Sequence, residues 1–254
     1  MAVMLNDQIW LWGGPTRQWG GSMDDDTLVK GARFFGAQNG LYVYGPHSDA
    51  VLELHRPLAR LVCQIGSNCR NPEAVAADTV AEAERLSALS LRFPNIVGAV
   101  VDDFDTGSEK FTPEKLAAIQ GALRSHNPAL KLHVVTYTMK QHPGYDDLLP
   151  YLDVVTLWVW KQGELARLDE DFDRMRREFP GKPILMGIFI HDYGETSKAR
   201  PNAVLAAHLD ACRRTIAAGQ AHGIIILGDR EIAKHPAESA FVRDYLAKHF
   251  AARG

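Results

Sequence analysis

In the stretch NIVGAVVDDFDTG, residues 95 to 107, an apolar run ends in Asp102, Asp103 and Asp105, nearly side by side. Crowded carboxylates with apolar sequence behind them push one pKa up and leave a neighbour ionised. That division supplies a general acid and a base or nucleophile, the pair that glycosidic hydrolysis uses. If the strand continues through them, Asp103 and Asp105 share one face and Asp102 takes the other. The competing reading is that Asp102 or Asp105 caps the loop DTGSEKFTPE, a common task for Asp.

A second constellation is FIHDYGE, where His191, Asp192 and Tyr193 follow an apolar run directly. Asp192 is the expected second carboxylate, and Glu231 is held in reserve. His191 has a core or capping role as its alternative. LWVWK ends in Lys161, which a desolvating tryptophan surround would turn into a Schiff-base nucleophile of an aldolase or lyase; pairing with a rim acid is the plainer reading. The tryptophans are spaced so that Trp10 and Trp12 share a face, as do Trp158 and Trp160. They suit either barrel packing or ring stacking against a ligand.

Apolar runs of strand length alternate with helical segments down the whole chain. The strands read as QIWLWGG, GLYVYG, RLVCQIG, IVGAVVDDF, KLHVVTYT, VVTLWVWK, PILMGIFIHDYG and GIIILGD, each followed by a helical stretch, among them GYDDLLPYL. About eight βα units predict an α/β fold, a single (β/α)8 TIM barrel over residues 1–254. An open doubly wound sheet would carry a glycine-rich phosphate turn after its first strand, and WLWGGPTRQWGG lacks that spacing. Thr112, Pro113 and Glu114 form an N-cap with proline at the first helical position, as do Asn71, Pro72 and Glu73. Gly181 and Gly223 are expected as C-cap glycines.

In such a barrel the site is built at the C-terminal ends of the strands. Those ends hold Trp12, Tyr44, His47, Asp102, Asp103, Asp105, Tyr137, Trp158, Trp160, Lys161, His191, Asp192, Tyr193, Asp229 and Glu231. Aromatic rings stack on the C–H faces of sugars while carboxylates and imidazoles pair with hydroxyls, so the rim suits a carbohydrate better than a phosphate or a hydride-transfer cofactor.

The chain has 254 residues, a formal net charge of -3, 46% hydrophobic and 23% charged residues. This charge gives no reason to expect nucleic acid or an anionic membrane as partner. Three cysteines without CxxC spacing argue against a structural zinc or a disulfide framework, although an oxidising compartment would allow a Cys63–Cys69 bridge. The N-terminus has no basic region before its short apolar run, which predicts a soluble protein, cytoplasmic or exported with its signal removed. No cofactor and no metal ligand set is assigned, and the oligomeric state is open.

At GAVVDDFD the sequence resembles glycoside hydrolases with a TIM barrel, several of which end an apolar strand in Asp-Asp-aromatic at this place in the barrel order. Chitinase-type barrels also load the end of this strand with acids, but their motif alternates Asp and ends in Glu. Here residue 104 is Phe104 and the next Glu is Glu109. The resemblance therefore implies acidic site positions at Asp103 and Asp102, without the chitinase mechanism.

The leading expectation is a carbohydrate-active hydrolase. Asp103 or Asp105 would protonate the leaving oxygen, and Asp192 would act as nucleophile or activate water. Trp12, Tyr44, Trp158 and Trp160 would form stacking subsites, with His191 orienting a hydroxyl or carboxylate. The alternatives are the Lys161 lyase, a metal-dependent enzyme in which His47, Asp103, His191 and Asp229 converge, and a non-catalytic glycan-binding barrel.

Overall fold

The computed structural model describes residues 8–16, 22, 24–66, 78–104, 111–139 and 144–250. Eight strands run β1 (Ile9–Gly13), β2 (Asn39–Tyr42), β3 (Arg60–Gln64), β4 (Ile96–Val101), β5 (Lys131–Tyr137), β6 (Val154–Trp158), β7 (Ile184–Phe189) and β8 (Gly223–Leu227). Each pairs in parallel with its sequence neighbours, and β8 pairs with β1, so the sheet closes as a (β/α)8 barrel.

Strand alternation sorts the side chains into two layers. Trp10, Trp12, Leu41, Val62, Val100 and Trp158 point inward and fill the barrel. Ile9, Leu11, Leu61, Ala99, Val101 and Leu157 point outward beneath the helices. Trp10 with Trp12, and Trp158 with Trp160, thus share a face, as their spacing predicted, and that face is the inner one. A Cβ on Gly187 would lie 2.1 Å from the Trp158 ring, so β7 needs glycine there for the indole to lie across it.

The helices are α1 (Thr27–Phe35), α2 (Asp49–Leu54), α3 (Thr79–Ser90), α4 (Pro113–Leu123), α5 (Leu168–Glu178), α6 (Asn202–Ala217), α7 (Glu231–Lys234) and α8 (Pro236–His249). Thr112 caps α4 as expected, its hydroxyl accepting the Lys115 N–H ahead of Pro113. The matching device at Asn71, Pro72 and Glu73 lies outside the described residues, and Asp78 caps α3. Gly181 takes a left-handed turn after α5, but after α6 that turn falls at Gly219 and Gly223 begins β8.

The connection from β5 to β6 departs from expectation. GYDDLLPYL yields only a 3-10 turn, Leu149–Tyr151, because Pro150 lacks the N–H that a continuing α-helix needs. Cys63 and Cys212 are free buried thiols, pushed well up by burial; Cys69 lies outside the described residues. No helix among the described residues is long and apolar enough to cross a membrane.

Candidate active site

A cavity of about 710 Å³ opens at the C-terminal ends of the strands. Its walls are Trp12, Tyr44, Tyr137, Trp158, Trp160, Phe189 and Tyr193, and its acids are Asp102, Asp103 and Asp229. The rings brace one another. Trp12 stands edge-on to Trp158 with centroids 5.6 Å apart, Trp160 stacks on Tyr193 at 5.5 Å, and the Trp12 indole N–H donates to Tyr44 Oη at 3.3 Å. Trp158 is 2% exposed; it packs the barrel and floors the cavity.

The acidic cluster is built by leaving the strand. β4 ends at Val101, and Asp103 takes a left-handed backbone with φ 49°. Its N–H donates to Asp102 Oδ1 at 2.9 Å. This turn cancels the alternation that would have put the two carboxylates on opposite faces, and both line the cavity. Tyr137, at the end of β5, donates its hydroxyl to Asp103 Oδ1 at 2.8 Å. Burial, followed by the charges of Asp102 and Asp103, holds the Tyr137 phenol well above its ordinary pKa, so it stays a donor. Asp105 lies outside the described residues.

Asp229, two residues beyond β8, is the acid that sequence reasoning placed at the rim without a role in the carboxylate pair. Its Oδ2 accepts the Gly14 N–H at 2.9 Å and its Oδ1 the Arg230 N–H at 2.7 Å. A Cβ on Gly13 would lie 2.6 Å from its carboxyl carbon, so glycine at the end of β1 makes room for it. Burial raises its pKa from 3.8 to about 6, outweighing the lowering by Gly14, Arg230 and Thr27. A carboxylic acid that keeps its proton into the weakly acidic range can donate it.

Three expected positions are corrected. Asp192 does not line the cavity. It is fully buried, Oδ2 accepting the Thr196 N–H and hydroxyl at 2.7 and 2.8 Å and Oδ1 the Gln162 N–H at 3.3 Å. Burial works to raise its pKa, but the Thr196 bonds and Arg200 prevail and hold it below the ordinary value. Asp192 pins the loop after β7. His47 turns away from the cavity to the Tyr42 ring, centroids 6.0 Å apart, and burial lowers its pKa to about 4. The convergence of His47 with Asp103, His191 and Asp229 is therefore not realised. Lys161 is exposed and outside the cavity wall, so it lacks the desolvation a Schiff-base lysine requires.

His191 does reach the cavity. Its Nδ1 lies 2.9 Å from His235 Nε2 with the rings stacked, a partner that sequence reasoning missed. Burial and then Lys234 lower its pKa. Glu231 is buried behind this wall, its Oε1 accepting the Tyr193 hydroxyl at 2.6 Å and Arg230 Nε at 3.2 Å. Tyr193 in turn accepts from the Arg230 guanidinium.

No family model matches the sequence, and no curated protein matches it. Solved structures match over nearly the whole barrel. A GH18 chitinase from Pseudoalteromonas aurantia aligns with a TM-score of 0.62 at 9% identity, covering 94% of this chain and 98% of that one. The fold is the (β/α)8 barrel that these structures share. The tamarind chitinase-like lectin aligns at 0.59 with 14% identity, covering 93% of this chain and 99% of that one. The xylanase and alpha-amylase inhibitor protein of Scadoxus multiflorus aligns at 0.62 with 11% identity, covering 96% and 99%. At these identities the likeness fixes the architecture and leaves the chemistry to the site itself.

Proposed function

We propose that this glycoside hydrolase-like barrel binds a glycan in its aromatic cavity and hydrolyses a glycosidic bond with paired carboxyls. The observation that carries the reading is that Asp103 and Asp229 line one cavity, the second with its pKa raised to about 6. Asp229 protonates the leaving oxygen. Asp103, oriented by the Tyr137 hydroxyl, attacks the anomeric carbon or takes the proton of an attacking water. Asp102 holds the Asp103 backbone N–H and adds negative charge where an oxocarbenium-like centre develops. Trp12, Trp158, Trp160 and Tyr44 stack on sugar faces, and His191, Tyr193 and Arg230 pair with hydroxyls or a sugar carboxylate.

A binding-only barrel is the second reading. It is favoured by the chitinase-like lectin and the inhibitor protein sharing this architecture and by the lack of a Glu between Asp102 and Glu109, where the chitinase motif ends in one. Reducing-sugar release and direct binding over a panel of glycans decide between them, with wild type beside Asp103→Asn and Asp229→Asn. Hydrolysis expects turnover in wild type, loss of about 10²-fold or more in each variant, and binding retained. Binding with no turnover in wild type, unchanged in both variants, refutes hydrolysis and leaves a lectin-like protein.

A further inference from the structure

We propose that His191, Glu231 and His235 form a binding site for a divalent transition-metal ion of the zinc type at the edge of the cavity. Among the described residues this is the one place where three such side chains bring ligand atoms within 4.8 Å of one another. Two elements supply them. His191 sits in the loop after β7. Glu231 and His235 are four residues apart across α7, a spacing that sets them one above the other.

The second observation is a buried carboxylate oxygen with nothing to hold. Glu231 is fully buried, and while Oε1 is engaged by Tyr193 and Arg230, Oε2 has no hydrogen-bond partner. A buried carboxylate oxygen left without a partner is costly, and a bound cation would remove that cost. His235 Nε2 lies 3.6 Å from it, and that nitrogen faces His191 Nδ1 at 2.9 Å. Two imidazole nitrogens and one carboxylate oxygen thus lie within 4.8 Å of one another.

Two imidazoles and a carboxylate are a donor set that zinc and its first-row neighbours take, with one position left for water or another ligand. Zinc–nitrogen bonds of about 2.0–2.1 Å at a tetrahedral angle put the two nitrogens roughly 3.3 Å apart. The two nitrogens therefore part by about 0.4 Å and the rings turn so that both lone pairs meet the ion, which replaces the ring proton between them. Cationic groups face the site as well. Arg230 is matched by Glu231 Oε1 and the Tyr193 hydroxyl, and Lys234 lies over the Tyr193 ring. Their repulsion weakens affinity without occupying Oε2. His191 is the ligand that reaches the cavity wall. The inference does not depend on what the cavity binds.

The test uses the full chain stripped with a chelator, dialysed and titrated with Zn²⁺ against a chromophoric competitor, with Co²⁺ spectra recorded in parallel. The expected result is one equivalent of Zn²⁺, and visible Co²⁺ bands of a low-coordinate ion. Glu231→Gln and His235→Ala should each weaken uptake at least 10-fold, with thermal melts showing the variants folded. His235→Gln replaces the alanine variant if that one unfolds. Sub-stoichiometric uptake, Co²⁺ spectra like those of the free ion, or uptake equal in wild type and folded variants overturns the site.

Discussion

The pH dependence of stability should carry the signature of Asp229. Its carboxyl moves from an ordinary 3.8 to about 6 through burial, and at about 1.4 kcal/mol per pH unit the difference is worth about 3 kcal/mol. Below about pH 4 the side chain is protonated in both folded and unfolded chains, and nothing is lost. Between pH 4 and 6 the unfolded chain releases the proton while the folded chain keeps it, so stability falls with rising pH. Above 6 both forms are ionised and the loss is complete. Asp229→Asn removes this dependence. The variant also loses one acceptor for the Gly14 or Arg230 N–H, a penalty of about 1–3 kcal/mol that is the same at every pH. Urea unfolding of both proteins from pH 4 to pH 7 separates the two effects. The stability of wild type minus that of the variant should fall by about 2.4 kcal/mol across this range, part of the loss being already present at pH 4. A constant difference would mean that Asp229 titrates normally and has no proton to donate in the weakly acidic range.

The remaining predictions concern neighbouring groups. Tyr137→Phe deletes the hydroxyl that orients Asp103, and steady-state kinetics should show kcat lowered roughly 10-fold or more with KM little changed, on the scale of a hydrogen bond to a charged group. Asp192→Ala strips the acceptors from Thr196 and Gln162 beside the buried Arg200. It should lower stability by roughly 3 kcal/mol, as removal of a buried charge partner does, while leaving the pH profile of turnover unchanged; an altered profile would restore Asp192 as a catalytic acid. Gly187→Ala drives a methyl into the Trp158 ring and should cost about 1–3 kcal/mol in a thermal melt, with loss of glycan binding if the indole moves.

The barrel was legible because the two-residue alternation of parallel strands and the helical period between them leave little choice of fold. Trp10 with Trp12 and Trp158 with Trp160 share a face for the same reason. What failed were the placements of Asp192 and His47, each several residues past a strand end. Asp192 follows β7 closely, yet the Thr196 donors draw it into the loop. His47 follows β2 but lies under the Tyr42 ring. Asp229 was visible at the rim, but its environment depends on Gly13 and Gly14, more than 200 residues earlier. The Glu231 to His235 spacing was a readable signal, whereas the approach of His191 across 44 residues was not.

The strand ends themselves show why the site escapes a periodic reading. Among the described residues the non-glycine positions with positive φ are Tyr44, Asp103 and Ser197, and the first two line the cavity. A left-handed backbone costs an L-residue roughly 1–2 kcal/mol, and Asp tolerates it better than Tyr. Glycine at either position would remove that cost. Instead the surroundings hold the strain in place: Gln64 Oε1 accepts the Tyr44 N–H at 3.0 Å, and Asp102 Oδ1 accepts that of Asp103 at 2.9 Å. A turn of this kind swings a side chain out of the outward-facing sequence of its strand and over the mouth of the barrel. The conformation that makes Asp102 and Asp103 neighbours in one cavity is thus the same one that breaks the alternation, and strain retained at two cavity residues points to function rather than to packing.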